Sequence, residues 1–241
     1  FITYGIYLKM SDFKIGIDYG GTKIEGILID SNGKEILRKR STYEKNYESG
    51  LNTVKSLVSE FDKFTDQQNS VGVCIPGFSS YETGLVNNAN CIWINDKPFH
   101  KDLEKSLNRE IRIMNDANCF ALSEAIDGSG ANYKSVWGVI IGSGFGGSFV
   151  YEKKVIEGVN QIAGDWGHQP LPYPTEEEIN SNVQCNVGNC KRPLCAEQFI
   201  SGIGFTKLFN EKYGTSLRTR EIVALEANGD ERAKKEFELY E

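Results

Sequence analysis

An apolar strand that begins at Phe13 runs Ile15-Gly16-Ile17-Asp18-Tyr19 and ends in Gly20-Gly21-Thr22-Lys23. The next segment, Ile24 to Asp30, is again apolar and β-prone, and Asp30-Ser31-Asn32-Gly33 reads as a hairpin turn into Lys34 to Arg40. The glycine pair therefore joins strand to strand, which excludes a Walker loop, where a helix would come next. Paired glycines let backbone N–H groups approach a polyphosphate closely. The Thr22 hydroxyl and Lys23 ammonium can donate to its oxygens, and Asp18 can hold the shell of a magnesium ion. Taken alone, the segment also fits an ordinary Gly-Gly turn.

It does not stand alone. Val136 to Ile141 forms a second apolar strand that ends in Gly142-Ser143-Gly144-Phe145-Gly146-Gly147 and resumes at Ser148 to Tyr151. Between the two clusters, the strand Ile111 to Met114 delivers Asn115-Asp116-Ala117-Asn118, which opens a helix through Phe120, Ala121, Glu124 and Ala125. A carboxylate fixed there can accept a proton, and Asp116 reads equally as a helix N-cap. Leu51, Val54, Leu57, Val58, Phe61 and Phe64 make one apolar stripe at period 3.6, a helix crossing to the strand Val71 to Ile75. A second helix over 98–107 turns Phe99, Leu103 and Leu107 inward, and residues 219–241 are helical in pattern with Ala233, Phe237 and Tyr240 in phase.

Composition narrows the class further. The chain is 39% hydrophobic and 25% charged, with no apolar run near the roughly 20 residues a membrane span needs, so a membrane role is not expected. A net charge of −6 without a basic block argues against nucleic acid as a partner. The 6 cysteines do not suggest a disulfide scaffold, and reduced thiols in a cytoplasmic protein are the expectation. Cys74, Cys91 and Cys119 read as small buried side chains. Cys185, Cys190 and Cys195 come after His168, and one imidazole with three thiolates makes a four-coordinate structural zinc site. Residues 1–9 precede Met10 and read as a non-native or read-through leader. Two lobes are expected, over 10–115 and 116–241, and the family resemblance described next implies that the second is cut short at its C-terminus.

These motifs resemble the ROK family of bacterial sugar kinases and repressors, from Lys14 to about Phe209. The resemblance rests on the Asp-x-Gly-Gly-Thr-Lys start, Gly72-Val73-Cys74-Ile75-Pro76-Gly77, the Asn-Asp-Ala-Asn motif, the Gly-Ser-Gly loop, and Ala163-Gly164-Asp165-Trp166-Gly167-His168 with cysteines after it. It implies an α/β, actin-like (ribonuclease H-like) ATPase fold, with two lobes and a cleft between them. Within the family, Gly84 to Asn90, Trp93, and Trp166 to Pro172 look most like fructokinases. Relatives that phosphorylate N-acetylglucosamine share Thr22 to Glu25 and Asn115 to Ala125 and are the alternative. A repressor would need a helix-turn-helix ahead of Phe13, and an inactive sugar-binding remnant is the third reading.

The resemblance also implies a role for each motif residue. Asp116 is the catalytic base in ATP-dependent transfer to a hexose, with fructose as the expected substrate. Pro76, Gly77, Asn90, Asn115, Asp116, Asp165, His168 and Glu197 contact the sugar. Asp18, Gly20, Gly21, Thr22, Lys23, Gly142, Ser143 and Gly144 take the nucleotide phosphates and Mg2+, while His168, Cys185, Cys190 and Cys195 hold structural Zn2+. Asp165 replaces the family's usual glutamate, shortening the reach toward the sugar. The cysteine pattern departs too: the family's Cys-x-Cys-x4-Cys-x-Glu is intact only as Cys190-x4-Cys195-Ala196-Glu197, and Val187 competes with Cys190 for the second cysteine's place. A homodimer is expected by the same resemblance.

Overall fold

A computed structural model describes residues 12–159, 161, 163–164, 166–181, 183–185 and 190–240. The expected leader over 1–9 lies outside the described residues. The chain divides into two compact units, Phe1–Cys119 and Phe120–Glu241.

In chain order the first unit contains β1 (Phe13–Tyr19), β2 (Lys23–Asp30), β3 (Glu35–Thr42), α1 (Tyr47–Thr65), β4 (Ser70–Ile75), β5 (Phe78–Ser79), β6 (Val86–Asn87), α2 (Phe99–Leu107) and β7 (Arg112–Asn115). The helix α3 (Asp116–Ile126) begins in it. Five strands form one sheet in the order β3-β2-β1-β4-β7. β1, β2 and β3 are an antiparallel meander, and β4 and β7 add in parallel on the other side of β1. The turn after β2 is built by Asp30, whose Oδ1 accepts from the Asn32 and Lys34 amides at 2.9 Å each.

Parallel neighbours need crossovers, and α1 and α2 supply them. Asn46 caps α1, its side chain accepting from Ser49 N at 2.8 Å, and the helix ends at Asp66 in a left-handed conformation. Val54, Leu57, Val58 and Phe61 are buried against the sheet core of Ile15, Ile17, Ile24, Leu28, Val71 and Val73. Burial of one such side chain stabilises by roughly 1.5–3 kcal/mol relative to leaving it exposed. Phe64 belongs to this stripe by its spacing but is 59% exposed. The last turn of α1 is held by polar contacts instead: Asp62 Oδ1 accepts from Asn69 N at 3.0 Å, and Thr65 Oγ1 from Asn69 Nδ2 at 2.8 Å. In α2, Phe99, Leu103 and Leu107 are all buried, as their spacing predicts.

The second unit continues α3 and adds β8 (Ser135–Ile141), β9 (Phe145–Tyr151), β10 (Lys154–Val155), α4 (Glu176–Asn180), α5 (Ala196–Ile200), α6 (Gly202–Tyr213), α7 (Thr219–Ala227) and α8 (Glu231–Tyr240). Its three strands run antiparallel in the order β10-β9-β8. β9 starts at Phe145, so the connection from β8 is only Gly142 to Gly144, shorter than the glycine run suggests. The single C-terminal helix expected over 219–241 is two. Gly229 takes φ +86°, and Asp230 Oδ1 accepts from the amides of Arg232 and Ala233 to start α8 afresh. Phe205, Phe209, Ile222 and Ala233 are the core of this helical end, with Phe237 against Phe205 at a centroid distance of 4.9 Å. No helix among the described residues is long and apolar enough to cross a membrane.

Candidate active site

The first unit brings one set of candidate residues together at the ends of its parallel strands. β1 ends at Tyr19 and β2 begins at Lys23, leaving Gly20, Gly21 and Thr22 as the connection. Gly20 N closes it by donating to Lys23 O at 3.2 Å. Asp18, Thr22 and Lys23 are exposed, available to a ligand. The Tyr43 hydroxyl donates to Gly20 O at 2.8 Å, and its ring lies against Tyr19 and Trp93 at centroid distances of 5.5 and 6.0 Å. Sequence reasoning missed Tyr43. No signal in the motif marks it, because it comes from the end of β3, across the meander.

β4 ends in Pro76-Gly77, where Gly77 has φ +81° and a Cβ would meet Asn87 O at 2.4 Å and Ala89 N at 2.7 Å. Only glycine fits that approach. Asn115 then ties this turn to the next helix: its Nδ2 donates to Gly77 O at 3.0 Å, and its Oδ1 accepts from Asn118 N at 3.2 Å. The N-cap contact of α3 is therefore made by Asn115, and the capping role considered for Asp116 falls one residue earlier. Asp116 is the first residue of α3 and is exposed, with Oδ1 accepting from Ala117 N at 2.8 Å. Asn90 is also exposed, and its Oδ1 lies 3.9 Å from where a Cβ on Gly21 would sit.

Three thiols border the Asp18 and Asp116 carboxylates. The parallel register sets Asp18 opposite Cys74, and the Cys74 thiol donates to Asp18 Oδ1 at 3.4 Å. Cys74 and Cys119 share a hydrogen bond, which together with burial and the Asp18 charge pushes the Cys74 thiol up; the same bond draws the Cys119 thiol down. Burial, aided by the Asp116 and Asp18 charges, pushes the Cys91 thiol up to about 11. Of the three cysteines expected to be buried in apolar surroundings, only Cys91 is buried, and it too feels the Asp116 and Asp18 charges. Cys74 and Cys119 are only half-buried and face acidic groups. Register placed Cys74 there, and register is not written in a strand's own alternation.

In the second unit the Gly142–Gly144 connection is closed by Gly142 N donating to Gly144 O at 2.9 Å. The start of α6 holds it from outside, with Gly202 N donating to Gly142 O at 2.8 Å and Ile203 N to Ser143 O at 3.4 Å. Glu197 is 5% exposed, and its Oε2 accepts from Phe145 N at 2.8 Å, directly after the glycine loop. Its other oxygen lies 3.2 Å from where a Cβ on Gly144 would stand.

His168, Cys185, Cys190 and Cys195 come together with all ligand atoms within 4.8 Å of one another. Short ladders build the cluster: Cys185 N donates to Arg192 O at 3.0 Å, and Leu171 N to Leu194 O at 2.7 Å. His168 Nδ1 is 3.5 Å from both Cys185 Sγ and Cys195 Sγ, and Cys190 Sγ is 3.9 Å from Cys195 Sγ. A tetrahedron with Zn–S bonds of about 2.3 Å has edges of about 3.8 Å, so the donor set and spacing fit zinc. Burial pushes the Cys195 thiol up, which a cation would reverse. Val187, the competing position, and Asp165 lie outside the described residues.

The family model described as the ROK family matches residues 14–241. An N-acetyl-D-glucosamine kinase of Pasteurella multocida is 38% identical over 232 residues, covering 94% of this chain and 75% of the relative. One of Citrobacter koseri is 39% identical over 226 residues, covering 93% and 75%. The crystal structure of a ROK hexokinase from Thermus thermophilus superposes with a TM-score of 0.79 at 22% identity, covering 93% of this chain and 72% of that one. The fold is thus the α/β, actin-like ATPase fold.

These relatives are named for N-acetylglucosamine rather than fructose, which favours the alternative over the fructokinase likeness. The tryptophans that suggested fructose have partners inside the protein. Trp93 Nε1 donates to the buried Tyr19 hydroxyl at 3.2 Å, and Trp166 packs on Phe145 and Trp137 at 4.8 and 5.9 Å between centroids. Both serve packing within their own unit. With the family model matching nearly the whole chain and relatives near 40% identity over most of its length, the chain belongs to the ROK family.

Proposed function

We propose that this protein is a sugar kinase that transfers the terminal phosphoryl group of ATP to N-acetylglucosamine. One observation carries the reading: two proteins of that name are 38% and 39% identical to the chain across 94% and 93% of its length. The geometry supports it, because the exposed Asp116 carboxylate stands at the start of α3, next to the turn that Asn115 secures.

Each group then has a part. Asn90, Asp165, His168, Glu197 and the Pro76-Gly77 turn contact the sugar, and Asn115 holds that turn in register with Asp116. Asp116 accepts the proton of the attacking hydroxyl; a weakly basic carboxylate suffices when the proton leaves late. Phosphoryl transfer is mostly a matter of positioning and charge neutralisation. Backbone amides at Gly20, Gly21 and Gly142 to Gly144, with Thr22, Ser143 and Lys23, receive the phosphates. Asp18 would hold Mg2+, which would supply further neutralisation of the phosphate oxygens. His168, Cys185, Cys190 and Cys195 would hold zinc in a structural role, since four protein donors leave no open position.

The test is an ATP-coupled assay against N-acetylglucosamine, fructose, glucose and mannose. N-acetylglucosamine is expected to have the highest kcat/KM, above fructose by at least about tenfold, since sites that hydrogen-bond a substrate amide reject ligands lacking it. Fructose ranking first would restore the fructokinase reading. No turnover with any sugar would leave the sugar-binding remnant.

A further inference from the structure

Glycines lose more backbone freedom on ordering than other residues, and the loop Gly142-Ser143-Gly144 closes on itself with a single bond, Gly142 N to Gly144 O at 2.9 Å. One stretch of chain, Glu197 to Ile203, grips this loop from outside. Glu197 Oε2 accepts from Phe145 N at 2.8 Å, Gly202 N donates to Gly142 O at 2.8 Å, and Ile203 N to Ser143 O at 3.4 Å. The stretch is itself tied, with Ser201 N donating to Glu197 O at 3.2 Å and Ser201 Oγ accepting from Gly204 N at 3.0 Å to cap α6.

The same stretch begins at the cysteine cluster. Cys195 is the N-cap of α5, and Glu197 lies in the first turn of that helix. Glu197 N donates to Gly167 O at 2.8 Å, and Gly167 precedes His168. Gly167 presses on the strand start too, since a Cβ there would stand 1.7 Å from Phe145 O. Two members of the cluster, His168 and Cys195, are thus one and two residues from groups that rest on Phe145.

We propose that Glu197 is a positioning residue for the phosphate loop, carrying the order of the His168, Cys185, Cys190 and Cys195 cluster to it, so that the metal state of the cluster sets the affinity for ATP. The inference rests on the sugar-kinase reading for its ligand and adds to it an effect of the cluster on the nucleotide. The link is mechanical. Donors drawn together fix Cys195 and so the first turn of α5, and the buried Glu197 carboxylate then makes a charge-assisted bond to the Phe145 amide. With the donors apart, that turn shifts and the amide loses its fixed acceptor. A loop ordered in advance binds without being ordered by its ligand, and this advantage is what the loss of metal removes.

Two measurements test the link without turnover. Hydrogen exchange by NMR compares the zinc-loaded chain with the same chain after chelation; exchange at the Phe145 amide is expected to quicken at least about tenfold, with amides further along β9 little changed. Calorimetric titration with Mg2+–ATP is made with no sugar present, because Glu197 is also assigned to the sugar. Glu197→Ala is expected to weaken ATP at least about tenfold, while Glu197→Gln, which keeps an oxygen acceptor, stays within about threefold of the parent. Chelation, with the chelator dialysed away first, should weaken the parent at least about tenfold but Glu197→Ala less than about twofold further, because the route is already cut. Parent-like ATP affinity in Glu197→Ala would overturn the proposal, as would an equal loss on chelation in parent and variant. If Glu197→Ala does not fold, exchange in the parent decides: quickening spread evenly over β8 and β9 would mean that the metal supports the unit as a whole and not through Glu197. A parent that binds no ATP, yet whose Phe145 amide answers to the metal, would sink the kinase reading and leave the link from cluster to loop standing.

Discussion

Asp116→Asn keeps the size of the side chain at the start of α3 and removes its basicity, so it separates chemistry from binding. Turnover is expected to fall at least about 100-fold with the sugar KM changed by no more than a few-fold. Steady-state kinetics showing near-parent kcat would take the base away from this residue. Gly77→Ala tests the turn beside it. A methyl group at φ +81° meets two backbone atoms at 2.4 and 2.7 Å, and neither can step aside cheaply. A loss on the order of 3 kcal/mol is expected from the shift in the urea midpoint. At this scale the sequence carries residue identities well and partners poorly. Asp18, Asp116 and Gly77 announce themselves in their motifs. That Asn115 rather than Asp116 caps α3 is not legible, because adjacent Asn and Asp are equally good caps. Tyr43 and Cys74 reach the site through strand pairing, which the motifs do not encode.

Elements are legible where the apolar period is long. The crossover helix α1 and the strands β1, β2 and β4 keep to their patterns closely, and α2 buries the three residues its spacing marks. The C-terminal pair α7 and α8 reads as one helix although Asn228-Gly229-Asp230 holds both a stop and a start signal, since Ala233 and Phe237 keep phase across the break. The loop that carries the cysteines is the element most open to test. Protein prepared without chelator is expected to hold about one equivalent of zinc, with Zn–S distances near 2.3 Å by X-ray absorption. Cys190→Ser should lose that metal, because a fourfold set with one donor removed binds far more weakly. Retention of zinc by this variant would hand the position to another residue of the loop. Elsewhere, Arg109 holds the end of α1 through an ion pair with Asp62 and a 2.8 Å bond to Asn69 O, with the two side chains 13% and 17% exposed. Arg109→Ala leaves a mostly buried carboxylate without its cation, and a drop in stability on the order of 2 kcal/mol is expected in denaturant titration.

At the scale of the whole chain, each core cluster among the described residues lies within one of the two compact units. Cooperativity depends on shared cores, so unfolding is expected to show two transitions rather than one. The tryptophans allow them to be assigned, Trp93 reporting on the first unit and Trp137 and Trp166 on the second. Chelation of zinc should lower only the transition seen by Trp137 and Trp166 in a Trp93→Phe variant. A single transition that shifts as a whole would show instead that the two units unfold together. The amide of Asn115 has a different kind of consequence. It grips the Gly77 carbonyl with one hand and the Asn118 amide with the other, so the turn and the head of α3 behave as a lever with a single fulcrum. Whatever presses on the turn also tilts Asp116, and an occupant that fits the turn badly is penalised a second time by a misaimed carboxylate. Selectivity at such a fulcrum would be read in kcat as much as in binding.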